Sequence, residues 1–419
     1  MTLDLKVSMA EVTRLTRGGR LTEAMALLRG LPQTRKPPAA SEELDRKPAR
    51  TPLSGGYFVD KLPSGSAEGD RTAPGCDAPD GAEAVSGEGL GQPRLPEAMR
   101  GALERFGRLG VELGRRGTAG HRARSVPASL PDGARFEEYR YANGAGSRTY
   151  KLYIPTGYRA EPLPLIVMLH GCKQSPDDFA AGTQMNELAQ ERGFLVAYPS
   201  QPPSANPSKC WNWFNAGDQL RGSGEPSLIA GITRQIMVDF AVDPNRVYLA
   251  GLSAGGAAAA IMGSAYPELY AAIGVHSGLA CGAAKDVASA LAAMRRGGSR
   301  PVEGARPPLP TIVFHGDRDG TVNPINGDQV IAQSKAAAEL HPTITHGRSV
   351  GGIDYTRTVQ ADGSGHPILE QWVLHGAGHA WSGGNPAGSY TDPRGPDASR
   401  EMLRFFFEHP RPAPKQRSE

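Results

Sequence analysis

Long apolar runs are missing from this chain. No stretch of about 18 apolar residues occurs among its 419 residues, so no segment looks like a membrane-spanning helix. The N-terminal sequence MTLDLKVSMAEVTRLTRGGRL also lacks the basic start and apolar core of a secretory signal. We therefore expect a protein that does not span a membrane and is not exported by an ordinary signal, and we predict a cytoplasmic location.

Cysteine is scarce, and charge of one sign is not in excess. The four cysteines, Cys76, Cys172, Cys210 and Cys281, form no CxxC pair and are too few for a disulfide framework. We therefore predict free thiols in a reducing cytosol. The 46 basic and 43 acidic residues give a net charge of +3, which provides no strong field for polyanions. We expect no nucleic-acid partner.

Composition divides the chain into four parts. Residues 1–31 have the apolar spacing of short amphipathic helices, for which docking on the main domain, on a protein partner or on a polymer granule are the alternatives. Residues 32–130 are rich in Pro, Gly, Ala, Arg and Glu and predict a mostly disordered linker. Residues 131–410 carry the signals of a catalytic domain, and residues 411–419 predict a disordered tail.

The catalytic part has the pattern of an α/β domain. RFEEYRYANGAGSRTYKLYIP alternates polar and apolar residues around an Asn-Gly turn, which predicts a β-hairpin. Apolar strand candidates follow: PLIVMLHG, GFLVAYPS, RVYLAGLS, AAIGVHSG, PTIVFHG and QWVLHGAGH. Helical stretches such as PSLIAGITRQIMVDFAV lie between several of them. Continuous apolar strands alternating with helices predict a mostly parallel central sheet flanked by helices, with chemistry at the carboxyl ends of the strands.

Ser253 is the candidate nucleophile. In RVYLAGLSAGGAAAAIMG it lies between a strand and a helix, where Gly251 and Gly255 leave room for a tight, strained turn. The motif G-x-S-x-G alone is weak, because in a chain with 53 glycines it is expected by accident about half the time. GRSVG at residues 347–351 also matches, but it has neither a buried strand before it nor an apolar helix after it. We interpret that second match as accidental.

A serine nucleophile needs a base and an acid that orients the base. TIVFHGDRDGTVNP places two carboxylates after an apolar strand, and we predict Asp319 as the acid with Asp317 as the alternative. QWVLHGAGHAWSGG offers His375 at a strand end and His379 in the loop beyond it. We predict His379 as the base, because a loop histidine can reach over the strand-to-helix turn that holds Ser253, which is called the elbow below. His276 and His315 are expected to be structural.

Two backbone N–H groups and three tryptophans complete the predicted site. The N–H of Ala254, directly after the nucleophile, and that of Cys172, in LHGCKQ, are the predicted oxyanion-hole donors. Trp211 and Trp213, in CWNWF, are predicted either to line an acyl pocket or to belong to the core, and Trp381 is predicted to border the site.

Five motifs in a fixed order carry a family resemblance. LHGCKQ, CWNWF, GLSAGGA, HGDRDGTVNP and GHAWSGG closely resemble the polyhydroxybutyrate (PHB) depolymerase-type esterases, which are relatives of feruloyl and acetylxylan esterases. The resemblance covers about residues 130–408 and implies an α/β-hydrolase fold without a metal or organic cofactor. It implies the same site residues: Ser253, Asp319 and His379 as triad, and Cys172 and Ala254 as oxyanion donors.

The resemblance predicts a serine carboxylic-ester hydrolase that forms an acyl-enzyme. Secreted depolymerases of this family carry a signal peptide and usually a polymer-binding domain, which this sequence lacks, so we expect short hydroxyalkanoate oligomers or similar small esters as substrates. A feruloyl or acetylxylan esterase is the alternative within the same chemistry, and a non-catalytic binding protein is the alternative outside it. The family also implies an extracellular or periplasmic location as the alternative to the cytoplasm.

Overall fold

The computed structural model describes residues 130–298, 309–335 and 338–412. The helices predicted within residues 1–31, their proposed partners, nearly all of the predicted linker and most of the predicted tail lie outside the described residues. None of the helices in the described part is long and apolar enough to cross a membrane.

A ten-stranded sheet forms the centre of the described part, and a two-stranded sheet lies beside it. The strands are β1 Arg135–Asn143, β2 Gly146–Ile154, β3 Leu163–Leu169, β4 Leu195–Pro199, β5 Val242–Leu252, β6 Ala272–His276, β7 Thr311–Gly316, β8 His341–Arg348, β9 Asp354–Ala361, β10 Pro367–Leu374, β11 Trp381–Ser382 and β12 Thr391–Asp392. The order in the large sheet is β1-β2-β4-β3-β5-β6-β7-β10-β9-β8. The six neighbouring strands β4, β3, β5, β6, β7 and β10 run parallel to one another. An antiparallel pair flanks them on each side, β1 with β2 and β9 with β8.

Helices cover both faces of the sheet. They are α1 Pro176–Thr183, α2 Met185–Arg192, α3 Gly224–Asp239, α4 Ala254–Ala265, α5 Val287–Arg296, α6 Ile325–Lys335 and α7 Ala398–Glu408. Alternate residues of each central strand point to opposite sides: Leu165 and Val167 pack in a core with α3 to α6, whereas Ile166 and Met168 pack in a core with α1, α2 and α7. Burial on both faces explains why these strands are continuously apolar in the sequence.

The predicted hairpin and strands are confirmed. β1 and β2 pair in register from Arg135 opposite Ile154 to Asn143 opposite Gly146, with the Asn-Gly sequence at the turn. Each of the six predicted apolar runs overlaps a strand of the parallel block, although β5 and β10 begin four residues earlier than the runs do. Because the strands are parallel, the loops after β3, β5, β7 and β10 leave the sheet at the same edge, and these loops carry the predicted site residues.

Candidate active site

Ser253 occupies a strained turn between β5 and α4. Its backbone has φ 57° and ψ −118°, a conformation that non-glycine residues rarely adopt, and its N–H donates to the carbonyl of His276 at 2.9 Å. A Cβ at Gly251 would overlap the backbone of Gly255, and a Cβ at Gly255 would overlap the carbonyl of Leu169. Gly251 is therefore required by the tightness of the turn itself, and Gly255 is required by the close approach of the turn to β3.

Asp319 and His379 are in direct contact. Nδ1 of His379 lies 2.7 Å from Oδ2 of Asp319, and the N–H groups of Thr321 and Val322 each donate to Oδ1 at 2.8 Å. Burial alone would raise the pKa of Asp319, but the charge of His379, with hydrogen bonds from His315 and His379, holds it well below its usual range. The carboxylate is thus a fixed anion that engages Nδ1 and leaves Nε2 of His379 for chemistry.

The alternative acid and base pair with each other instead. Nδ1 of His375 lies 3.0 Å from Oδ2 of Asp317, and the N–H of Gly376 donates to Oδ1 at 2.7 Å. Nε2 of His375 lies 2.9 Å from the hydroxyl of Thr356. The side chains of His375 and Asp317 are 42% and 37% exposed, whereas those of His379 and Asp319 are 12% and 0% exposed. The structure therefore separates two Asp–His pairs, one exposed and one buried.

Two buried histidines, His276 and His170, follow or end strands next to the site, and His276 connects two of its loops. Burial, followed by the effects of His315 and His379, lowers the pKa of His276 to about 3, and burial lowers the pKa of His170 to about 4. Nε2 of His276 accepts the N–H of Ser382 at 3.0 Å. Because the carbonyl of the same residue accepts the N–H of Ser253, His276 ties the elbow to the loop that follows His379. Neutral and enclosed, it is a structural residue, as predicted.

The loop after β3 passes beside Ser253. A Cβ built on Gly171 would lie 3.6 Å from Cβ of Ser253. The N–H of Gly171 donates to Oε1 of Gln174 at 2.8 Å, so it is occupied. Within the described residues, no acceptor pairs with the N–H of Cys172 or with that of Ala254. Both predicted oxyanion donors are thus free of a protein acceptor in the part of the chain that the structure describes.

Gln174 is a site residue that the sequence reasoning missed. It is 2% exposed, and its Nε2 donates to Oδ2 of Asp178 and to the carbonyl of Ser389, each at 3.0 Å. It thereby joins the loop after β3 to the loop between β11 and β12. The only indication in the sequence was its position three residues after Gly171, in LHGCKQ. Its contact with the backbone of Ser389, more than two hundred residues away, produces no pattern in the sequence that could be recognised.

The prediction of free thiols is wrong for two of the four cysteines. Cys172 and Cys210 form a disulfide, with Cα atoms 4.2 Å apart and a sequence separation of 38. The N–H of Lys173 donates to the carbonyl of Ser208 at 2.7 Å, which holds the two loops side by side. Sequence spacing gave no indication of this, because the two cysteines meet only when the loops after β3 and β4 fold against each other.

The structure places Trp211 in the core, one of the two alternatives left open for it, and it also places Trp381 in the core, where a substrate contact had been predicted. Trp211 is 0% exposed, and its indole N–H donates to the carbonyl of His170 at 3.1 Å. Trp381 is 1% exposed, stacks on His276 and donates to Oγ of Ser399 at 3.0 Å. Both therefore support the site from within the core and present no face to a ligand. Trp213 is 6% exposed and packs edge-on against Phe214; its contact with substrate stays a prediction.

Comparison with known proteins finds similarity to one family of esterases over part of the chain. Residues 148–344 match the family model described as Esterase PHB depolymerase. Over this segment, just under half of the chain, the sequence is similar to the PHB depolymerase esterases. Poly(3-hydroxyalkanoate) depolymerase C of Paucimonas lemoignei is 31% identical over 54% of this chain, and the match spans 57% of that relative's length. Feruloyl esterase B of Neurospora crassa is 27% identical over 63% of this chain and 89% of its own length.

The described part of the chain also has the predicted fold. The acetyl xylan esterase from Aspergillus awamori superposes with a TM-score of 0.52 at 20% identity, over 65% of this chain and 99% of that protein. This likeness confirms the predicted α/β-hydrolase fold. The segment matched by the family model contains Ser253 and Asp319 but ends before His379, so the place of His379 in the site rests on its contact with Asp319.

Proposed function

We propose that this chain is a serine carboxylic-ester hydrolase. The observation that carries the proposal is the buried pair of Asp319 and His379 at the same sheet edge as the strained Ser253. The similarity of residues 148–344 to a family of esterases supports the same chemistry. Two unoccupied N–H groups beside the serine, those of Cys172 and Ala254, meet the need of acyl transfer for an oxyanion hole.

The proposed reaction proceeds through an acyl-enzyme. Oγ of Ser253 adds to the ester carbonyl carbon while its proton passes to Nε2 of His379, whose Nδ1 stays with Asp319. The carbonyl oxygen becomes an anion and accepts hydrogen bonds from Cys172 and Ala254. Collapse breaks the ester C–O bond, and His379 returns the proton to the leaving alcohol. Water then repeats the addition on the acyl-enzyme, releasing the acid and restoring the serine.

Replacement of the nucleophile tests this proposal. We expect Ser253→Ala to lower kcat on p-nitrophenyl butyrate by a factor on the order of 10⁴ or more, because the remaining site supplies only binding and the oxyanion hole. The matched control is Ser349→Ala, in the other G-x-S-x-G sequence. Ser349 lies in the turn between β8 and β9, where its hydroxyl donates to the carbonyl of Arg394. Turnover close to that of the wild type in pure Ser253→Ala protein would refute the proposal.

We propose short hydroxyalkanoate oligomers or similar small esters as the substrate class. The depolymerase relative supports the hydroxyalkanoate ester. A feruloyl-type or acetylxylan-type esterase is the second candidate, and it is favoured by one observation: the match spans 89% of the feruloyl esterase but 57% of the depolymerase. Values of kcat/KM for hydroxybutyrate trimer, methyl ferulate and acetylated xylan decide between them, since specificity is the ratio of these values.

We propose an oxidising compartment, periplasmic or extracellular, in place of the cytoplasm predicted from the sequence. The disulfide between Cys172 and Cys210 supports this choice, because structural disulfides persist mainly outside the reducing cytosol. Peptide mapping without reductant, on enzyme taken from the cells that produce it, tests the proposal. Recovery of alkylated thiols at both positions would favour the cytoplasm instead.

A further inference from the structure

A buried carboxylate that takes no part in the proposed reaction is hydrogen-bonded to the loop after β4. The disulfide joins that loop to residues 170–175, the loop after β3 that carries Cys172 and is called the oxyanion loop below. Glu225, in the first turn of α3, is 6% exposed. Its Oε2 accepts the backbone N–H of Asn212 at 2.7 Å, and its Oε1 accepts the side-chain amide of Asn212 at 2.8 Å. The amide of Gln201 and a guanidinium N–H of Arg148, at 3.3 Å, also donate to Oε1. Four donors thus converge on one carboxylate.

The same network continues to the oxyanion loop. The side-chain amide of Gln201 also donates to the carbonyl of Cys210 at 2.9 Å, and the backbone N–H of Gln201 donates to Nε2 of His170 at 3.1 Å. The indole N–H of Trp211 donates to the carbonyl of His170, one residue before Gly171. The disulfide then joins Cys210 to Cys172. Every link between Glu225 and the N–H of Cys172 is therefore a hydrogen bond or a covalent bond.

The network requires an acceptor at its centre. Burial, followed by the nearby Asp218, raises the pKa of Glu225 to about 6, so the group is an anion at neutral pH. An ionised carboxylate only accepts hydrogen bonds, which suits four converging donors, whereas an amide would point its own N–H groups at some of them. Unpaired donors in a buried site are costly, and the loop is expected to shift to relieve them.

We propose that Glu225 is a positioning residue that holds the N–H of Cys172 in the oxyanion hole through Gln201, Cys210 and the disulfide. This inference rests on the proposed esterase function. It assigns Glu225 no contact with substrate: the carboxylate acts only by fixing the loops after β3 and β4 against each other. Its loss should therefore weaken binding of the transition state more than binding of the substrate.

Glu225→Gln is the test, and Glu370→Gln is its matched control. Glu370 is also a buried carboxylate, 1% exposed and paired with Arg357 and Arg404, but it lies within β10 and not in the loops after the strands that carry the predicted site residues. We expect Glu225→Gln to lower kcat by about 10- to 100-fold with KM within about twofold, because one misplaced oxyanion donor costs rate without costing ground-state binding. Glu370→Gln should lower Tm and leave kcat unchanged.

A transition-state analogue supplies the readout that a merely structural role would not change. Oγ of Ser253 adds to the carbonyl carbon of an aryl trifluoromethyl ketone while its proton passes to His379, and the ketone oxygen becomes the anion that the oxyanion hole binds. We expect the inhibition constant of this ketone to rise in Glu225→Gln by the same factor as kcat falls. Should Glu225→Gln fail to fold, Gln201→Met, which keeps side-chain volume and cuts the same link, should show the same pattern more weakly.

Three results would overturn the inference. The first is a folded Glu225→Gln, or Gln201→Met in its place, with wild-type kcat and ketone inhibition. The second is an equal loss of both quantities in Glu370→Gln, which would indicate general destabilisation. The third is a rise in KM alone. Ser253→Ala separates this failure from that of the proposed function: an inactive Ser253→Ala beside a fully active Glu225→Gln removes only the inference.

Discussion

At the scale of single residues, the two aspartates after β7 show how burial divides similar side chains into different tasks. Asp317 and Asp319 each contact the Nδ1 atom of a histidine, at 3.0 and 2.7 Å. The exposed contact of Asp317 is screened by water, and such surface pairs contribute little. The carboxylate of Asp319 is excluded from water, so its charge acts on the imidazole at nearly full strength.

Exchange of each carboxylate for an amide tests this division. We expect Asp319→Asn to lower kcat on p-nitrophenyl butyrate by about 10⁴-fold, because an amide neither fixes the tautomer of His379 nor stabilises its protonated form. Asp317→Asn is the matched control and should stay within about threefold of wild type. Steady-state kinetics on both variants provide the measurement. Equal losses in the two variants, or a larger loss in Asp317→Asn, would show that the pairs have been assigned the wrong way round.

Sequence reasoning found the residues whose chemistry is local and missed those whose role depends on distant contacts. Ser253 was recognisable because a strand, small residues and a helix surround it within one short segment. Asp319 and Asp317 were both candidates, since both follow the same strand, and only the pairing of side chains separates them. Glu225 gave no signal at all: it looks like an ordinary acidic residue in the first turn of a helix, and its partners come from three other segments.

At the scale of elements, burial decided which strands were predictable. The parallel strands stand out because both of their faces pack against helices. By contrast β8, in HPTITHGR, pairs only with β9, and almost all of its side chains are exposed. It therefore lacks the apolar signature of a strand, although its backbone is fully paired on one side. The second G-x-S-x-G sequence, GRSVG, spans the turn between β8 and β9. It therefore connects two strands and not a strand to a helix, in agreement with its interpretation as an accidental match.

The elbow and β3 constrain each other through a glycine. A Cβ at Gly255 would overlap the backbone of Leu169 and His170, next to the oxyanion loop. We expect Gly255→Ala to force these elements apart, lowering stability by about 1–3 kcal/mol and kcat by about 100-fold. Urea denaturation and kinetics with p-nitrophenyl butyrate measure the two effects.

The neighbouring glycine is the control for this prediction. A Cβ at Gly256 would find its nearest atoms at 3.1 Å, a contact that a small shift can relieve, and alanine is the better helix former. Gly256→Ala should therefore keep kcat within a few-fold of wild type. If both alanine variants behave alike, the close approach of the elbow to β3 is not what limits the site.

At the scale of the whole molecule, stability should depend on pH through buried groups that bind protons differently in the folded and unfolded states. His170 and His276 have folded pKa values of about 4 and about 3, below their usual 6.5. The unfolded chain therefore binds more protons below pH 6.5, and stability falls as pH falls. Glu225, with its pKa raised to about 6, works in the opposite direction between that value and 4.5.

These opposing groups give a net prediction. Between about pH 7.5 and about pH 5, each buried histidine should lower the free energy of unfolding by about 2 kcal/mol, and Glu225 should raise it by about 1 kcal/mol. We therefore expect the free energy of unfolding to fall by about 3 kcal/mol over this interval, measured by urea denaturation at both pH values. His276→Gln removes one of the titrating groups. The free energy of unfolding of this variant should therefore fall by about 2 kcal/mol less than that of the wild type over the same pH interval, whatever its stability at the higher pH.

An exposed histidine separates this linkage from a general effect of acid. His341 lies at the exposed start of β8, so His341→Gln should lose as much stability between the two pH values as the wild type does. Because the comparison uses the change with pH within each variant, a baseline loss caused by the substitution cancels. If His276→Gln remains as acid-sensitive as wild type, the imidazole between the elbow and the loop after His379 is not held neutral by burial. The acid sensitivity would then have to be assigned to other groups.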